Sequence, residues 1–156
     1  MNTAANELDI VKHKFRDFYY DELTPSEFDE WLCTAANLED VLGSDTFFQL
    51  IDLDYSSRDE VEEARHLVKR FYSEQLQSDI CRDRVEDVLQ GMLAGELELP
   101  RGCEILWDLS LNGADFIPAV FAGYASELED PKWESFYRER VLKDAEEFLR
   151  KLNATR

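Results

Sequence analysis

Apolar residues recur every three or four positions along most of this chain, which is the spacing of one face of an α-helix. The longest such stripe is Trp133, Tyr137, Val141, Ala145, Phe148 and Leu152. Residues 44–54 are an exception, because the short apolar run within them is compatible with either a helix or a strand. The spacing predicts an all-α fold: a single compact domain over residues 1–156, with about six to eight helices and short connections.

Helix start signals divide these stripes from one another. A capping box with proline in the first turn is predicted at Thr24-Pro25-Ser26-Glu27. A second capping box, without proline, is predicted at Ser57-Arg58-Asp59-Glu60, before another apolar stripe. Asp130-Pro131 opens the last helix in a similar way. These signals predict helices from Pro25, from Ser57 and from Pro131.

The cellular location of the protein is predicted by comparing its sequence with the features that membrane and secreted proteins need. No apolar run reaches the roughly 18 to 20 residues of a membrane span, and the polar start of the chain does not resemble a secretory signal. The three cysteines, Cys33, Cys81 and Cys103, are odd in number and far apart. We therefore expect a cytoplasmic protein that does not bind a membrane, with buried cysteines in a reducing compartment.

Negative charge is unevenly distributed along the sequence. The chain has 35 acidic and 17 basic residues, a formal charge of −18, and residues 17–64 alone hold fifteen acids and one base, Arg58. A negative field repels nucleic acid and anionic membranes and accelerates encounter with a basic partner, although acidity also serves solubility alone. The distribution favours a basic protein partner and a local binding surface.

The usual sequence patterns of catalytic and metal sites are missing. The two histidines, His13 and His66, do not belong to an H-E-x-x-H motif, and there is no nucleophile elbow or glycine-rich phosphate loop. The loop that begins at Asp52 resembles the start of a calcium loop, but Ser57 stands at the sixth position, where glycine is needed. We predict no catalytic residue, no metal ligand and no cofactor.

A partner-binding surface is predicted in the acidic third of the chain. Tyr19, Tyr20 and Tyr55 fit the helical stripes poorly, and aromatic residues beside carboxylates commonly receive arginine and lysine side chains. A basic excess is found only near Lys12, Lys14 and Arg16 and is offset by the acids that follow, which argues against direct nucleic-acid binding. The predicted partner-binding residues are Asp21, Glu22, Asp29, Glu30, Glu39, Asp40, Asp45, Asp52, Asp54 and Tyr55.

Two parts of the chain resemble a known class of protein. The first comprises Phe28–Leu32, Asn37–Gly43 and Leu50–Tyr55, and the second comprises Gly113–Pro118 and Phe121–Leu128. Both are similar to small acidic helical immunity proteins encoded beside the toxins of bacterial polymorphic-toxin and contact-dependent inhibition systems. The resemblance covers about a third of the chain and rests mainly on capping and packing positions.

The resemblance implies a non-enzymatic protein that neutralises a cognate toxin, such as a basic nuclease, by covering its active face. Acidic side chains would then replace the phosphates that the toxin binds. Two alternatives remain open: a homo-oligomeric helical structural or assembly protein, and a metal-dependent enzyme that uses clustered carboxylates. The sequence leaves the toxin unidentified and is compatible with a monomer or a homodimer.

Overall fold

Helices make up almost all the regular structure of residues 3–156, the part of the chain described by this computed structural model. Over that range there are nine α-helices, one short 3₁₀-helix and no strand. The predicted all-α fold class is confirmed. Residues 44–51 form a helix, which settles the ambiguity between helix and strand in that stretch.

The chain divides into two units, one ending at Ile80 and the other beginning at Cys81. The helices of the N-terminal unit are α1 (Thr3–Tyr19), α2 (Pro25–Thr34), α3 (Leu38–Leu42), α4 (Ser44–Ile51) and α5 (Arg58–Glu74). Those that follow are α6 (Ile80–Ala94), α7 (Leu99–Leu111), α8 (Val120–Glu127), the 3₁₀-helix Pro131–Trp133 and α9 (Glu134–Ala154). The single domain expected over residues 1–156 stays a prediction.

Aromatic side chains form the centre of the N-terminal unit. Helix α1 packs against α2, α3 and α5, and α4 packs against α2, α3 and α5. Phe18 and Phe28 are fully buried and stack with ring centroids 4.0 Å apart, while Phe15 meets Phe71 edge-on at 5.5 Å. Such ring pairs add to the burial of apolar area. They fix the helices from which the acidic residues project.

The predicted capping box at Thr24 is present in full. The Thr24 hydroxyl accepts from the Glu27 N–H at 3.2 Å, and the Glu27 carboxylate accepts from the Thr24 N–H at 2.8 Å. At the second box only one half forms, because Ser57 caps α5 while the Glu60 carboxylate accepts from the backbone N–H of Asp54 instead. Glu60 therefore holds the loop that precedes α5.

Helix α7 is the central element of the C-terminal unit. It packs against α8 and α9, and α8 also packs against α9. Phe121 and Phe148 join the last two helices, with ring centroids 5.8 Å apart. Gly102 of α7 allows the side chain of Met92 of α6 to lie where a β-carbon would otherwise stand. The contact between α6 and α7 thus depends on a glycine.

Two residues that the apolar stripes place in the core are exposed. Leu111 is the last residue of α7 and is 69% exposed, because the stripe ends where the helix does. Trp133 is 40% exposed because Asp130 caps a 3₁₀-helix at Pro131 rather than α9 itself, which begins at Glu134. The predicted start of the last helix is therefore three residues early.

A charged cluster joins the start of α6 to the end of the chain. Glu86 is 7% exposed and receives two bonds from the Arg156 guanidinium, at 2.6 and 3.1 Å. Arg156 also pairs with Asp83 at 3.1 Å. A bidentate guanidinium–carboxylate pair of this kind holds both partners in one geometry. The cluster fixes the end of α9 against α6.

No helix within residues 3–156 combines the length and the apolarity required to span a membrane.

Candidate functional site

The acidic residues predicted to bind a partner lie at the surface of the N-terminal unit. The exposed ones are Asp21, Glu22, Glu30, Glu39, Asp40, Asp45, Asp52 and Asp54. Asp29, on α2, is half-buried. They project from α2, α3, the first turn of α4 and the connections before α2 and after α4. We call these nine residues the acidic surface, and all but Asp29 are exposed.

Several of these carboxylates have no basic residue beside them. Over residues 3–156, no ion pair joins Glu30, Asp40, Asp45 or Asp52 to a lysine, an arginine or a histidine. Exposed carboxylates of this kind keep their hydration and their negative field. They are the members of the acidic surface with the clearest capacity to attract cations.

Other members of the acidic surface bind groups of the N-terminal unit itself. Glu39 accepts a hydrogen bond from the Ser44 hydroxyl at 2.9 Å. Asp54 accepts from the hydroxyl and the backbone N–H of Ser56 at 2.6 and 2.9 Å, and these bonds lower the pKa of Asp54 below its usual value. A lowered pKa keeps this carboxylate ionised under mildly acidic conditions.

Asp21 has a structural role as well as a negative charge. Its carboxylate pairs with Arg65 of α5, whose guanidinium also donates to the backbone carbonyl of Tyr19 at 3.0 Å. The same guanidinium lies 5.5 Å from the centre of the Phe18 ring. Asp21 therefore helps to fix the end of α1, and changing it alters more than a surface charge.

The structure removes Tyr55 from the predicted binding residues. Its side chain is 7% exposed, packs against Phe18 and Phe28, and donates a hydrogen bond to the Leu50 carbonyl at 2.8 Å. Burial, together with the nearby Asp29 carboxylate, raises the pKa of the Tyr55 phenol far above its usual value. The poor fit to a helical stripe arose because Tyr55 lies in a loop that folds inward, so its assignment to the surface was wrong.

The positive charge of the N-terminal unit is partly withdrawn from the surface. Residues 1–80 contain nineteen acids and seven bases, and one of those bases, Arg16, is only 8% exposed. Arg16 donates to the Tyr72 hydroxyl at 3.2 Å, and Arg65 is held by Asp21. The basic group near Lys12 and Lys14 is thus smaller at the surface than the sequence suggests.

A groove in the C-terminal unit was not predicted from the sequence. It has a volume of about 600 Å³. Its lining residues are Glu98, Pro100, Glu104, Trp107, Asp108, Ala125, Leu128, Glu129, Pro131 and Glu134. We call it the Trp107 groove. It combines an apolar lining, in which Trp107 is half-buried, with five carboxylates.

The carboxylates of the Trp107 groove are only partly neutralised. Glu104 pairs with Arg101 at 3.1 Å, and Glu134 pairs with Arg138 at 3.8 Å. Glu98, Asp108 and Glu129 are exposed and form no ion pair with any residue in the range 3–156. The groove therefore carries an excess of negative charge beside an indole ring.

Exposed aromatic side chains lie close in sequence to Glu134 of the groove. Phe136 is 67% exposed, and its ring centroid lies 5.8 Å from that of Trp133 and 4.9 Å from that of Tyr137. Trp133 and Phe136 flank the segment that supplies Glu134 to the groove. Large aromatic residues left open to water often mark a binding surface.

The cysteines are in three different environments. Cys103 is buried, Cys81 is half-buried and Cys33 is exposed, and none of the three is in a disulfide. Burial raises the pKa of the Cys103 thiol to about 12. The prediction of a buried thiol is confirmed for Cys103 and is wrong for Cys33, which lies at the outer edge of α2.

Residues 3–156 contain no group of three or more His, Cys, Asp or Glu side chains placed to hold a metal ion. Comparison with known proteins adds no assignment. No protein-family model, curated protein or solved structure matches this chain. The resemblance to immunity proteins therefore rests on the sequence segments alone. The functional argument rests on the acidic surface of the N-terminal unit and on the Trp107 groove.

The Trp107 groove has a signal in the sequence that is visible once its position is known. Pro100, Glu104, Trp107 and Asp108 follow one another at intervals of four, three and one, which places them on one face of α7. The apolar stripe of the same helix runs through Cys103 and Leu106, and Trp107 lies at its edge. The sequence signal of the groove is therefore a tryptophan at the edge of an apolar stripe, with Asp108 one residue after it and Glu104 three residues before it.

Proposed function

We propose that this protein is a non-enzymatic, cytoplasmic binding protein that neutralises a bacterial toxin, and that the acidic surface covers the toxin's basic active face. The observation that carries the proposal is the set of exposed carboxylates without basic neighbours, of which Glu30, Asp40 and Asp45 are examples. The resemblance of two sequence segments to immunity proteins points in the same direction. No cofactor or metal has a part in it.

In the proposed mechanism, carboxylates of this protein occupy the places of nucleic-acid phosphates on the toxin. A nuclease active face presents arginine and lysine to nucleic-acid phosphates, and a row of carboxylates supplies equivalent negative charge. Complementary charge accelerates association and excludes partners of the wrong sign, whereas a few well-packed anchors slow dissociation. Phe47, a half-buried residue of α4, is available as such an anchor.

The proposal expects a toxin domain to be encoded by a neighbouring gene, and co-expression with that domain tests it. The test variant combines Glu30→Lys, Asp40→Lys and Asp45→Lys, all at exposed positions. The matched control combines Glu96→Lys, Glu139→Lys and Glu146→Lys, which change the net charge equally on the C-terminal unit. The three reversals on the N-terminal unit should weaken toxin binding by at least about a hundredfold, since each close charge pair contributes on the order of 1.5 kcal/mol or more.

Circular dichroism and thermal melting establish that both variants are folded, and titration calorimetry measures the affinity for the toxin domain. Growth of cells that express the toxin then reports protection. If the test variant protects as well as the unmodified protein, the acidic surface is not the toxin-binding surface. If both variants lose binding equally, only the net charge matters and the local surface has no special role.

A second candidate function is a homodimeric structural or assembly protein. Leu111 and Phe136, 69% and 67% exposed, are the observations in its favour, because a contact between two copies would cover them. Light scattering at several concentrations separates the two candidates. A monomer throughout the accessible range excludes the dimer, and a stable dimer disrupted by Phe136→Ser supports it.

A further inference from the structure

We infer that the Trp107 groove binds a short, extended, basic segment of a partner protein, with an arginine or lysine side chain against the indole of Trp107. This second binding surface does not depend on the acidic surface of the N-terminal unit. It concerns the C-terminal unit alone, whose residues were not among those that the sequence predicts to bind a partner.

The shape and the lining of the groove are observations separate from its charge. A volume of about 600 Å³ is within the general range of roughly 300–1,000 Å³ for sites that enclose organic ligands. Trp107 is half-buried, and Leu128 with the two prolines Pro100 and Pro131 adds apolar lining. Such a lining accepts the methylene groups of arginine and lysine side chains, whose charged ends stay near water.

The charge of the groove determines which kind of segment it accepts. Of its five carboxylates, two are engaged by Arg101 and Arg138, and the other three are Glu98, Asp108 and Glu129. Arginine and lysine are the side chains that pair with carboxylates and are also attracted to the face of an indole. An acidic or neutral segment would leave three carboxylates facing it without compensation.

The exposed aromatic residues on either side of Glu134 in the sequence favour a protein segment over a small free cation. Trp133 and Phe136 are 40% and 67% exposed, and they flank Glu134 of the groove in the sequence. A small cation would leave both rings in water. A segment of several residues covers them with its neighbouring side chains, as aromatic anchors are covered in protein interfaces.

The test uses the full chain and a synthetic hexapeptide of alternating arginine and glycine. The protein has three tryptophans, and their indole N–H resonances are assigned with the single variants Trp31→Phe, Trp107→Phe and Trp133→Phe. We expect the Trp107 resonance to move saturably as the peptide is added. Trp31, which packs in the core of the N-terminal unit, provides the internal control.

A neutralised variant establishes the role of the carboxylates. It combines Glu98→Gln, Asp108→Asn and Glu129→Gln, all at exposed positions, and should weaken peptide binding by about tenfold or more. The control, Glu96→Gln with Glu139→Gln and Glu146→Gln, removes the same net charge outside the groove. Its affinity should stay within about twofold of the unmodified protein.

Each other outcome overturns the inference. If the Trp107 resonance does not move, or moves no more than that of Trp31, the peptide does not enter the groove. If the control variant loses affinity as strongly as the neutralised variant, the attraction is a general effect of negative charge. If the free triamine spermidine binds Trp107 as tightly as the peptide, the groove is a site for small organic cations rather than for a protein segment. The toxin assay of the acidic surface is unaffected by any of these results.

Discussion

The close contact between Gly102 and Met92 yields a quantitative prediction for the C-terminal unit. A β-carbon on Gly102 would stand 2.5 Å from the Cγ of Met92 and 3.3 Å from its Cε. Carbon atoms pack best at about 3.5–4.0 Å, so the side chain of Met92 must move by roughly 1 Å. Met92 is only 2% exposed and therefore has little room to move. Gly102→Ala should overpack the contact between α6 and α7.

Overpacking of this kind costs about 1–3 kcal/mol, and the better helix propensity of alanine recovers up to about 1 kcal/mol. We therefore expect Gly102→Ala to lower the free energy of unfolding by about 1–2 kcal/mol. Gly123 is the matched control, since it also lies within a helix and a β-carbon there would meet nothing within 4 Å. Gly123→Ala should raise the free energy of unfolding by about 0.5–1 kcal/mol.

Urea denaturation followed by far-ultraviolet circular dichroism measures both changes. A third variant, Met92→Ala, removes the atoms that the new β-carbon would meet, and in that background the cost of Gly102→Ala should shrink or change sign. The reasoning is refuted if Gly102→Ala stabilises the protein as much as Gly123→Ala does. It is also refuted if the cost persists unchanged in the Met92→Ala background. Because α7 carries Trp107, the same series shows how firmly the groove is supported.

Two further predictions concern titratable groups. Since the pKa of the Cys103 thiol is raised to about 12, Cys103 should resist iodoacetamide at pH 8 in the folded protein while the exposed Cys33 reacts. Mass spectrometry of digested peptides identifies the labelled residue. Equal labelling of both cysteines would contradict the burial of Cys103. The backbone N–H of Thr24, and after it the Thr24 side chain, lower the pKa of Glu27, so the contribution of this capping box is present above the unfolded pKa of about 4.3 and is lost as the pH falls through the lower folded value. Thr24→Ala removes the side chain and keeps the backbone N–H, so carboxyl NMR titration should show that the Glu27 pKa rises part of the way towards that of an unperturbed glutamate; a full return would contradict the leading role of the backbone N–H.

The fold was largely predictable because local signals coincide with tertiary packing in most of this chain. Thr24 and Glu27 predicted a capping box from four residues, and the capping box forms. Where the prediction failed, a longer-range contact replaced the local one. Glu60 binds the backbone of Asp54 rather than closing its own box. Asparagine is a common helix cap, but the Asn37 side chain before α3 makes no capping bond and donates to the Glu7 carboxylate at 3.2 Å instead.

The acidic surface was predicted better than its aromatic neighbours. A carboxylate such as Asp40 or Asp45 is exposed almost wherever it falls, because burying its charge is costly. An aromatic residue has no such constraint, so Tyr55 entered the core while Trp133 and Phe136 remained in water. The Trp107 groove arises from residues of α7, α8, the 3₁₀-helix and α9, which meet only in the folded unit, and no single stretch of sequence contains it.

The carboxylates without basic neighbours have a consequence for folding itself. Residues 1–80 contain nineteen acids and seven bases, and the excess of negative charge repels itself whenever the chain is compact, which destabilises the folded N-terminal unit. A basic partner that covers Glu30, Asp40 and Asp45 would neutralise part of this repulsion. By linkage it would raise the free energy of unfolding of the N-terminal unit. The surface that attracts the partner therefore lowers the stability of the unbound protein, and binding of the partner restores that stability.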